Sequence, residues 1–590
     1  MLTCTICENR CRVAKGRAGG CGQYRRSGDV MVECHPDRYL IVCPINIETM
    51  PMLHFHPGGK FLQISTAGCN LDCPGCISTA LVREMNPASR ILQHLEPEEV
   101  VAAAARHDCR GIAFLMNDPL ASLDTFLRVA RAARAAGLLV GCATNACFTK
   151  ESLSRLLPAI DFINVGIKGL TEEAYRECGG RSPEPVLRNI GLLHRAGVHV
   201  EAACMHRSDN REELLELARR ITAISPAIPL QVMRYIPLET AEPAWEPTIR
   251  ESEAMVDELR SILPHVYLFN SPGTEQLHSR CPECGEVLLR RDFYGPMGAR
   301  LLAVDSRKCP HGPAALGLRG EARAGDFREG DFQGGYPLTR ALEIVQAMLI
   351  ALGVRETEEL VKVWETVLET QNLRELHHSI QQPAAYLATL AHFGELTGRR
   401  SRAATLVEYI ENRLAAVERG LEGLARRPRV YYAMGKPLFA IKGKRFENQL
   451  VQLAGGDSVN QRLDLEGRPG MTVDRDVLND LNPEVMIISA FMSSPIKDFH
   501  AECLRLGIEV EAVRNMRIYT PPVPVSDFGG PRWVLGFMFM ANVLHPERFN
   551  FDLAREADAF YREFYGLPFT PAQLNRSFGK PSTNWSWNQI

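Results

Sequence analysis

Short apolar runs alternate with helix-period stretches through the first half of the chain. Strand candidates are 61–65, 110–116 (RGIAFLM), 138–144 (LLVGCAT), 162–167 (FINVGI), 198–205 (VHVEAACM) and 229–236 (PLQVMRYI). Between them lie EPEEVVAAAARH, SLDTFLRVARAARAAG and NREELLELARRITA, whose apolar positions recur every three to four residues. Six such βα units predict an α/β fold in which a parallel, barrel-like sheet is jacketed by helices, with the active site at the C-terminal strand ends. A cysteine- and glycine-rich lead segment, 1–59, precedes the expected barrel at 60–270. A second cysteine group and a glycine- and charge-rich linker (GLRGEARAGDFREGDFQGG) fill 271–335. The pattern at 336–428 is helical, clearest over 399–424, and a second α/β unit is expected from the strand at 429–434 to about 568 within a last segment 429–590. The final QLNRSFGKPSTNWSWNQI has the composition of an exposed tail.

At 590 residues the chain is too long for one core, and about three domains is the prior. A formal charge of −3 gives no reason to expect nucleic acid or an anionic membrane as partner. No apolar stretch reaches the roughly 20 residues of a membrane span, and MLTCTICENRCRVAKG lacks the apolar core of a secretion signal, so the expected location is cytoplasmic. Seventeen of the 18 cysteines lie at or before Cys309, leaving Cys503 alone beyond it. In a long chain, such clustering reads as metal chemistry in the first half rather than as a disulfide framework.

Cys69, Cys73 and Cys76 form CxxxCxxC in FLQISTAGCNLDCPGC, directly after the first strand candidate. Three thiolates on one tight loop can hold three irons of a 4Fe–4S cluster and leave the fourth iron open, which is where chemistry happens. A zinc knuckle or a fully ligated electron-transfer cluster is the plainer alternative. Gly68 and Gly75 would let the backbone pass close to such a cluster. Polar residues end the other strands: Asn117 and Asp118 the second, Thr144 and Asn145 the third, Asn164 and Lys168 around the fourth, Arg234 the sixth. Any one of them could simply cap a helix; their recurrence at strand ends favours a site.

The spacing and its place after a strand resemble the radical S-adenosylmethionine (SAM) superfamily. That resemblance implies a partial (β/α)6 barrel, SAM chelated by the open iron, and an electron from the cluster cleaving SAM to a 5′-deoxyadenosyl radical. The superfamily places a motif that hydrogen-bonds the SAM amino group where Asn117-Asp118-Pro119 stands. A closer resemblance, over about 1–315, is to the AmmeMemoRadiSam-system proteins, relatives of the pyruvate formate-lyase activating enzymes. It rests on CTICENRCRVAKGRAGGCG, PINIETMPMLHFHPGG, NDP, ATNA, INVGIKG, NREELLELA, RYIP, CPECGEVLLRR and KCPHG in that order. The activating enzymes carry acidic residues where Ala143 and Gly166 stand and a His at Gln231; Lys168 keeps the pattern.

Two outer groups offer further soft ligands. Cys4, Cys7, Cys11 and Cys21 fit zinc or an auxiliary iron–sulfur cluster in a segment too small to fold on its own core. Cys281, Cys284, Cys309 and His311 resemble a zinc ribbon lacking its last cysteine; either His311 completes a Cys3His site or three cysteines hold an open auxiliary cluster.

From about 395 to 568 the runs RPRVYYAMGKPLF, NQLVQLAGGDSVNQ, LNDLNPEVMIIS and PRWVLGFMFMANVLHPERF resemble the C-terminal lobe of iron-siderophore and vitamin B12 ABC-transporter substrate-binding proteins. Tyr431, Tyr432, Met434, Lys436, Phe491, Arg514, Tyr519 and Trp533 could line a concave face there, or pack. The combined expectation is a cytoplasmic, anaerobic radical SAM enzyme, reduced by flavodoxin or ferredoxin. It would abstract hydrogen from a small molecule such as a metal chelate, tetrapyrrole or cofactor precursor. The alternatives are an activase acting on a partner protein, and a non-enzymatic chelate sensor or metallochaperone.

Overall fold

The computed structural model describes residues 1–569 apart from 80, 81, 83, 84, 87, 88, 90, 238–241, 306, 326, 331, 332, 371–375, 377–379, 490, 493 and 522–528. The expected C-terminal tail lies outside the described residues.

Eight strands build the main sheet: β1 (Ile41–Asn46), β2 (Lys60–Ser65), β3 (Gly111–Phe114), β4 (Leu139–Thr144), β5 (Phe162–Gly166), β6 (His199–His206), β7 (Leu230–Arg234) and β8 (Val266–Phe269). They lie side by side in chain order. Every pair from β2 to β8 is parallel, and β1 closes one edge antiparallel to β2, so the sheet is a partial barrel. Alternation of side chains explains how one strand serves two cores. Leu62, Ile64, Ile112 and Phe114 face the helical jacket. Phe61, Ala113 and Phe162 face inward, where Phe55 stacks on Phe162 with ring centroids 4.4 Å apart. Several of the helices that return the chain begin with side-chain caps, as Thr149 accepting from the Ser152 amide and Thr248 in a reciprocal pair with Glu251.

The lead segment is two small hairpins, Leu2–Thr3 with Arg12–Val13 and Tyr24–Ser27 with Val30–Glu33. It is pinned where the helix Leu123–Ala135 starts: Glu33 accepts from the Thr125 amide at 3.0 Å, and Tyr24 Oη accepts from the Leu123 amide at 2.8 Å. A carboxylate there satisfies orphan amides and the positive helix end together.

Beyond the barrel, Ser279–Arg280, Val287–Phe293 and Ala299–Val304 form a three-stranded antiparallel sheet. Helices Gly335–Ala351, Thr357–Thr370, Pro383–Leu396 and Arg400–Gly420 follow. A second sheet then orders Gly470–Thr472, Lys436–Ile441, Arg429–Met434, Val485–Ile488 and Ile518–Tyr519. Behind it, every residue of the helix Trp533–Leu544 is buried, which accounts for its lack of a polar face. One apolar core joins the barrel interior (Ile45, Phe61, Phe162) to the helices (Leu342, Met348) and the second sheet (Val430, Ile487).

The two halves meet on the side where the barrel strands end. Gly335 packs on Met116 just past β3, and its amide donates to Gln63 Oε1 at 3.3 Å. Lys436 Nζ bonds Glu253 at 2.9 Å and Glu502 at 3.0 Å, and Asp292 accepts from the Thr472 hydroxyl at 3.0 Å. Among the described residues, no helix is long and apolar enough to cross a membrane.

Candidate active site

The loop after β2 carries Cys69, Cys73 and Cys76, all partly exposed. Asn117 fixes its start. Its Oδ1 accepts from Ser65 Oγ at 2.9 Å and the Thr66 amide at 3.0 Å, while its Nδ2 donates to Thr66 Oγ1 at 2.8 Å and Gly68 O at 3.1 Å. Gly68 has φ +89°, a conformation that favours glycine, and a Cβ there would also displace the end of the Gln23 side chain.

Asp118 fixes the neighbouring strand end. It accepts from the Leu120 amide at 2.9 Å, Thr144 Oγ1 at 3.0 Å and the Asn145 amide at 2.7 Å. Burial pushes its pKa up, while these donors and Lys168 pull the other way. Asn145, so placed, donates to Asn70 Oδ1 at 2.8 Å and points Nδ2 at Cys69 Sγ, 3.9 Å away. Cys69 Sγ also accepts from the Leu71 amide at 3.4 Å.

Lys168, after β5, is exposed into a cleft of about 480 Å³ at the ends of β5 and β6, lined also by Met205, Arg207 and Trp245. Surrounding protein works against its charge, but the thiols of Cys73, Cys178, Cys76 and Cys69 outweigh this and hold its pKa above the usual lysine value. A cation in electrostatic range of these sulfurs is what a cluster with anionic thiolate ligands needs nearby. The three thiols, the amide aimed at Cys69 and this lysine therefore fit an iron–sulfur cluster.

Asn164 and Arg234 are not part of this gathering. Inside the barrel, Asn164 donates to Pro51 O at 3.1 Å and Gln231 Oε1 at 2.7 Å, and Gln231 in turn donates to Pro51 O and, at 2.7 Å, to Glu201. Arg234, buried at the end of β7, donates to Asn270 O at 3.0 Å, Glu246 at 2.9 Å and Pro247 O at 3.1 Å.

Cys178 was not singled out from the sequence. It caps the helix Glu172–Glu177, its carbonyl accepts from the Asp72 amide at 2.7 Å, and its thiol is within hydrogen-bonding reach of Cys73. That contact, followed by burial, raises its pKa. Nothing in the spacing of YRECGG ties it to a loop about a hundred residues earlier.

The ribbon group converges tightly. Cys284 Sγ and Cys309 Sγ are 3.5 Å apart, Cys281 Sγ and His311 Nδ1 are 3.5 Å apart, and all four donor atoms lie within 4.8 Å of one another. A single tetrahedral ion with sulfur bonds of about 2.3 Å holds its ligands roughly 3.8 Å apart, whereas ligands on separate irons stand farther off. Of the residues expected to line the second lobe, Tyr431, Tyr432 and Trp533 are fully buried in packing, Lys436 joins the halves, and Phe491 lies under the Arg340 guanidinium at 5.5 Å.

Residues 64–221 match the family model described as the Radical SAM superfamily. The chain carries a radical SAM domain there, which supports an enzyme, and that superfamily implies an iron–sulfur cluster and SAM. An uncharacterized protein of Methanocaldococcus jannaschii is 26% identical over 323 residues, 52% of this chain and 92% of that protein. Similar solved structures include a periplasmic solute-binding protein of Veillonella parvula (19% identical, TM-score 0.30, covering 34% of this chain and 61% of that one). Others are the molybdate periplasmic binding protein MolA of Haemophilus influenzae (18%, 0.28, 36% and 64%) and CeuE of Helicobacter pylori with Ni(II) bound (16%, 0.29, 34% and 63%). The chain thus spans less than two thirds of each of these structures.

Proposed function

We propose that this radical SAM enzyme abstracts a hydrogen atom from a small molecule held between the barrel mouth and the C-terminal half. The observation that carries the reading is that Cys69, Cys73 and Cys76 lie within electrostatic range of Lys168 at strand ends beside which the start of the chain's own helix Gly335–Ala351 packs on Met116. A mouth flanked in this way suits a small substrate better than a loop of a partner protein. When bound, the 4Fe–4S cluster and SAM supply the electron and the carbon radical.

The protein's residues place and shield. Cys69, Cys73 and Cys76 hold the irons, and Lys168 balances their charge. Asn117 and Gly68 set the path of the loop, and Asp118 orders Thr144 and Asn145 so that Asn145 can orient Cys69. Asn164 and Arg234, committed to the barrel interior and the β7 loop, are given no contact with SAM. The C-terminal lobe shapes the mouth, as an added unit resembling a chelate binder would. Flavodoxin or ferredoxin supplies the electron. The ribbon set, at single-ion spacing, holds zinc with His311 as fourth ligand and braces the hairpin sheet.

The test is 5′-deoxyadenosine formation by anaerobically reconstituted protein given SAM and a strong reductant. Cys69→Ala should abolish it, and a loaded wild-type cluster that makes none refutes the reading. Deuterated cell extract, split into small molecules and proteins, then locates the substrate. Deuterium reaching 5′-deoxyadenosine from the small-molecule fraction supports the proposal; transfer from the protein fraction favours an activase.

A further inference from the structure

The lead-segment cysteines are unlike the ribbon cysteines. Among the described residues, the ribbon set is the sole group of three or more Cys, His, Asp or Glu side chains whose donor atoms all lie within 4.8 Å. Cys4, Cys7, Cys11 and Cys21 nevertheless share one neighbourhood. The Cys4 amide donates to Cys11 O at 2.8 Å, and a Cβ on Gly20 would be 3.5 Å from Cys11 Sγ. The Cys7 thiol is in electrostatic range of Cys4, Cys11 and Cys21. None of the four is in a disulfide. Cys69, Cys73 and Cys76 likewise do not all lie within 4.8 Å of one another.

A second likeness is in the backbone. The backbone amides of Ile6, Asn9 and Gln23 lie within electrostatic reach of the sulfurs of Cys4, Cys7 and Cys21. Each is two residues after its cysteine, as Leu71 is to Cys69. Such donors stabilise thiolate sulfur and tune the potential of a bound cluster.

The two sets also touch. Asn9 Nδ2 donates at 3.1 Å to the carbonyl of Asn70, the residue after Cys69, and at 3.1 Å to Gly179 O. Cys7 bridges to Phe148, and the Glu8 amide donates to Cys147 O at 2.9 Å. Buried Cys147 lies within electrostatic range of both Cys7 and Cys73.

From the open spacing, the amides within reach of the sulfurs and this adjacency, we propose that Cys4, Cys7, Cys11 and Cys21 ligate a second iron–sulfur cluster, which passes electrons to the catalytic one. With four cysteines this cluster has no open iron, so it carries electrons and binds no substrate. One electron leaves a reduced flavodoxin- or ferredoxin-class donor, resides on the lead-segment cluster, and moves to the cluster at Cys69, Cys73 and Cys76. No bond forms or breaks in the transfer. The cluster assignment stands on the cysteines alone; the relay rests on the radical SAM reading above.

The experiment counts iron, sulfide and zinc in full-length, anaerobically purified protein, with electron paramagnetic resonance on the reduced samples. The combined Cys69→Ala, Cys73→Ala, Cys76→Ala variant leaves the lead segment untouched. It should keep about half the iron, about four atoms per chain, with a signal that SAM does not change. Complete iron loss in that variant, with about two zinc per chain, overturns the assignment. For the relay, Cys21→Ala should lose 5′-deoxyadenosine formation with the protein donor and keep it with dithionite; equal activity with both donors overturns the relay. If wild type makes no 5′-deoxyadenosine with either donor while the triple variant keeps half its iron, the radical SAM reading fails and the second cluster stands.

Discussion

Replacing Asn117 with alanine tests whether one side chain holds the cluster loop in place. Asn117 makes four buried bonds to Ser65, Thr66 and Gly68, at 2.8–3.1 Å. At a net worth of about 0.5–1 kcal/mol each, their removal costs about 2–4 kcal/mol, because the partners are buried and water replaces the amide poorly. That loss falls locally, on the residues leading into Cys69. Hydrogen–deuterium exchange of a peptide spanning residues 61–71 should therefore accelerate roughly 30- to 1000-fold in Asn117→Ala. Peptides from the helix Arg211–Ile224, on another side of the barrel, should be unchanged. Asn117→Asp is the sharper companion: it keeps the acceptor toward Ser65 and Thr66 but turns a carboxylate oxygen toward the Gly68 carbonyl. It should perturb the loop at least as much as alanine. Wild-type exchange in both variants, with full iron retention, would refute the reasoning, since the loop would then be held by something else.

Two further outcomes follow from the structure. Cys284→Ala should release about one zinc per chain and lower the unfolding midpoint while leaving iron content unchanged, measured by metal analysis and calorimetry. Glu502 pairs with Lys436, the residue that reaches Glu253 across the two halves, and the Arg505 guanidinium, with Lys436 adding to it against the cost of burial, holds its pKa down at about 2. A depressed carboxyl stabilises above its unfolded pKa of about 4.3, and that stability is lost as pH falls toward about 2. Glu502→Gln should thus be less stable than wild type at pH 6, with the difference shrinking steadily below pH 4 in parallel melts.

Six barrel strands were legible because each is a short, largely apolar run between helix-period stretches. The two edge strands were not. β1 is LIVCPIN-like sequence inside a cysteine-rich segment, with Pro44 tolerated because it lies on an edge. β8 is four residues closing a helix-to-strand return. In the second lobe, Tyr431, Tyr432 and Trp533 suggested a lined face, but burial, which a linear pattern cannot resolve, claims all three. At the site, the cysteine spacing and the polar strand ends were local signals and could be read. How Asn117 is used could not, because it depends on strand register; nor could Cys178, because it reaches Cys73 through the fold of the loop after Glu172–Glu177.

The apolar interior shared by barrel, helices and second sheet sets how the molecule comes apart. A protease nick anywhere between residues 317 and 334 would sever the peptide without freeing either fragment, since each buries oily surface against the other. The nicked pair should comigrate on a sizing column and melt in one step, and neither piece made alone should stay in solution.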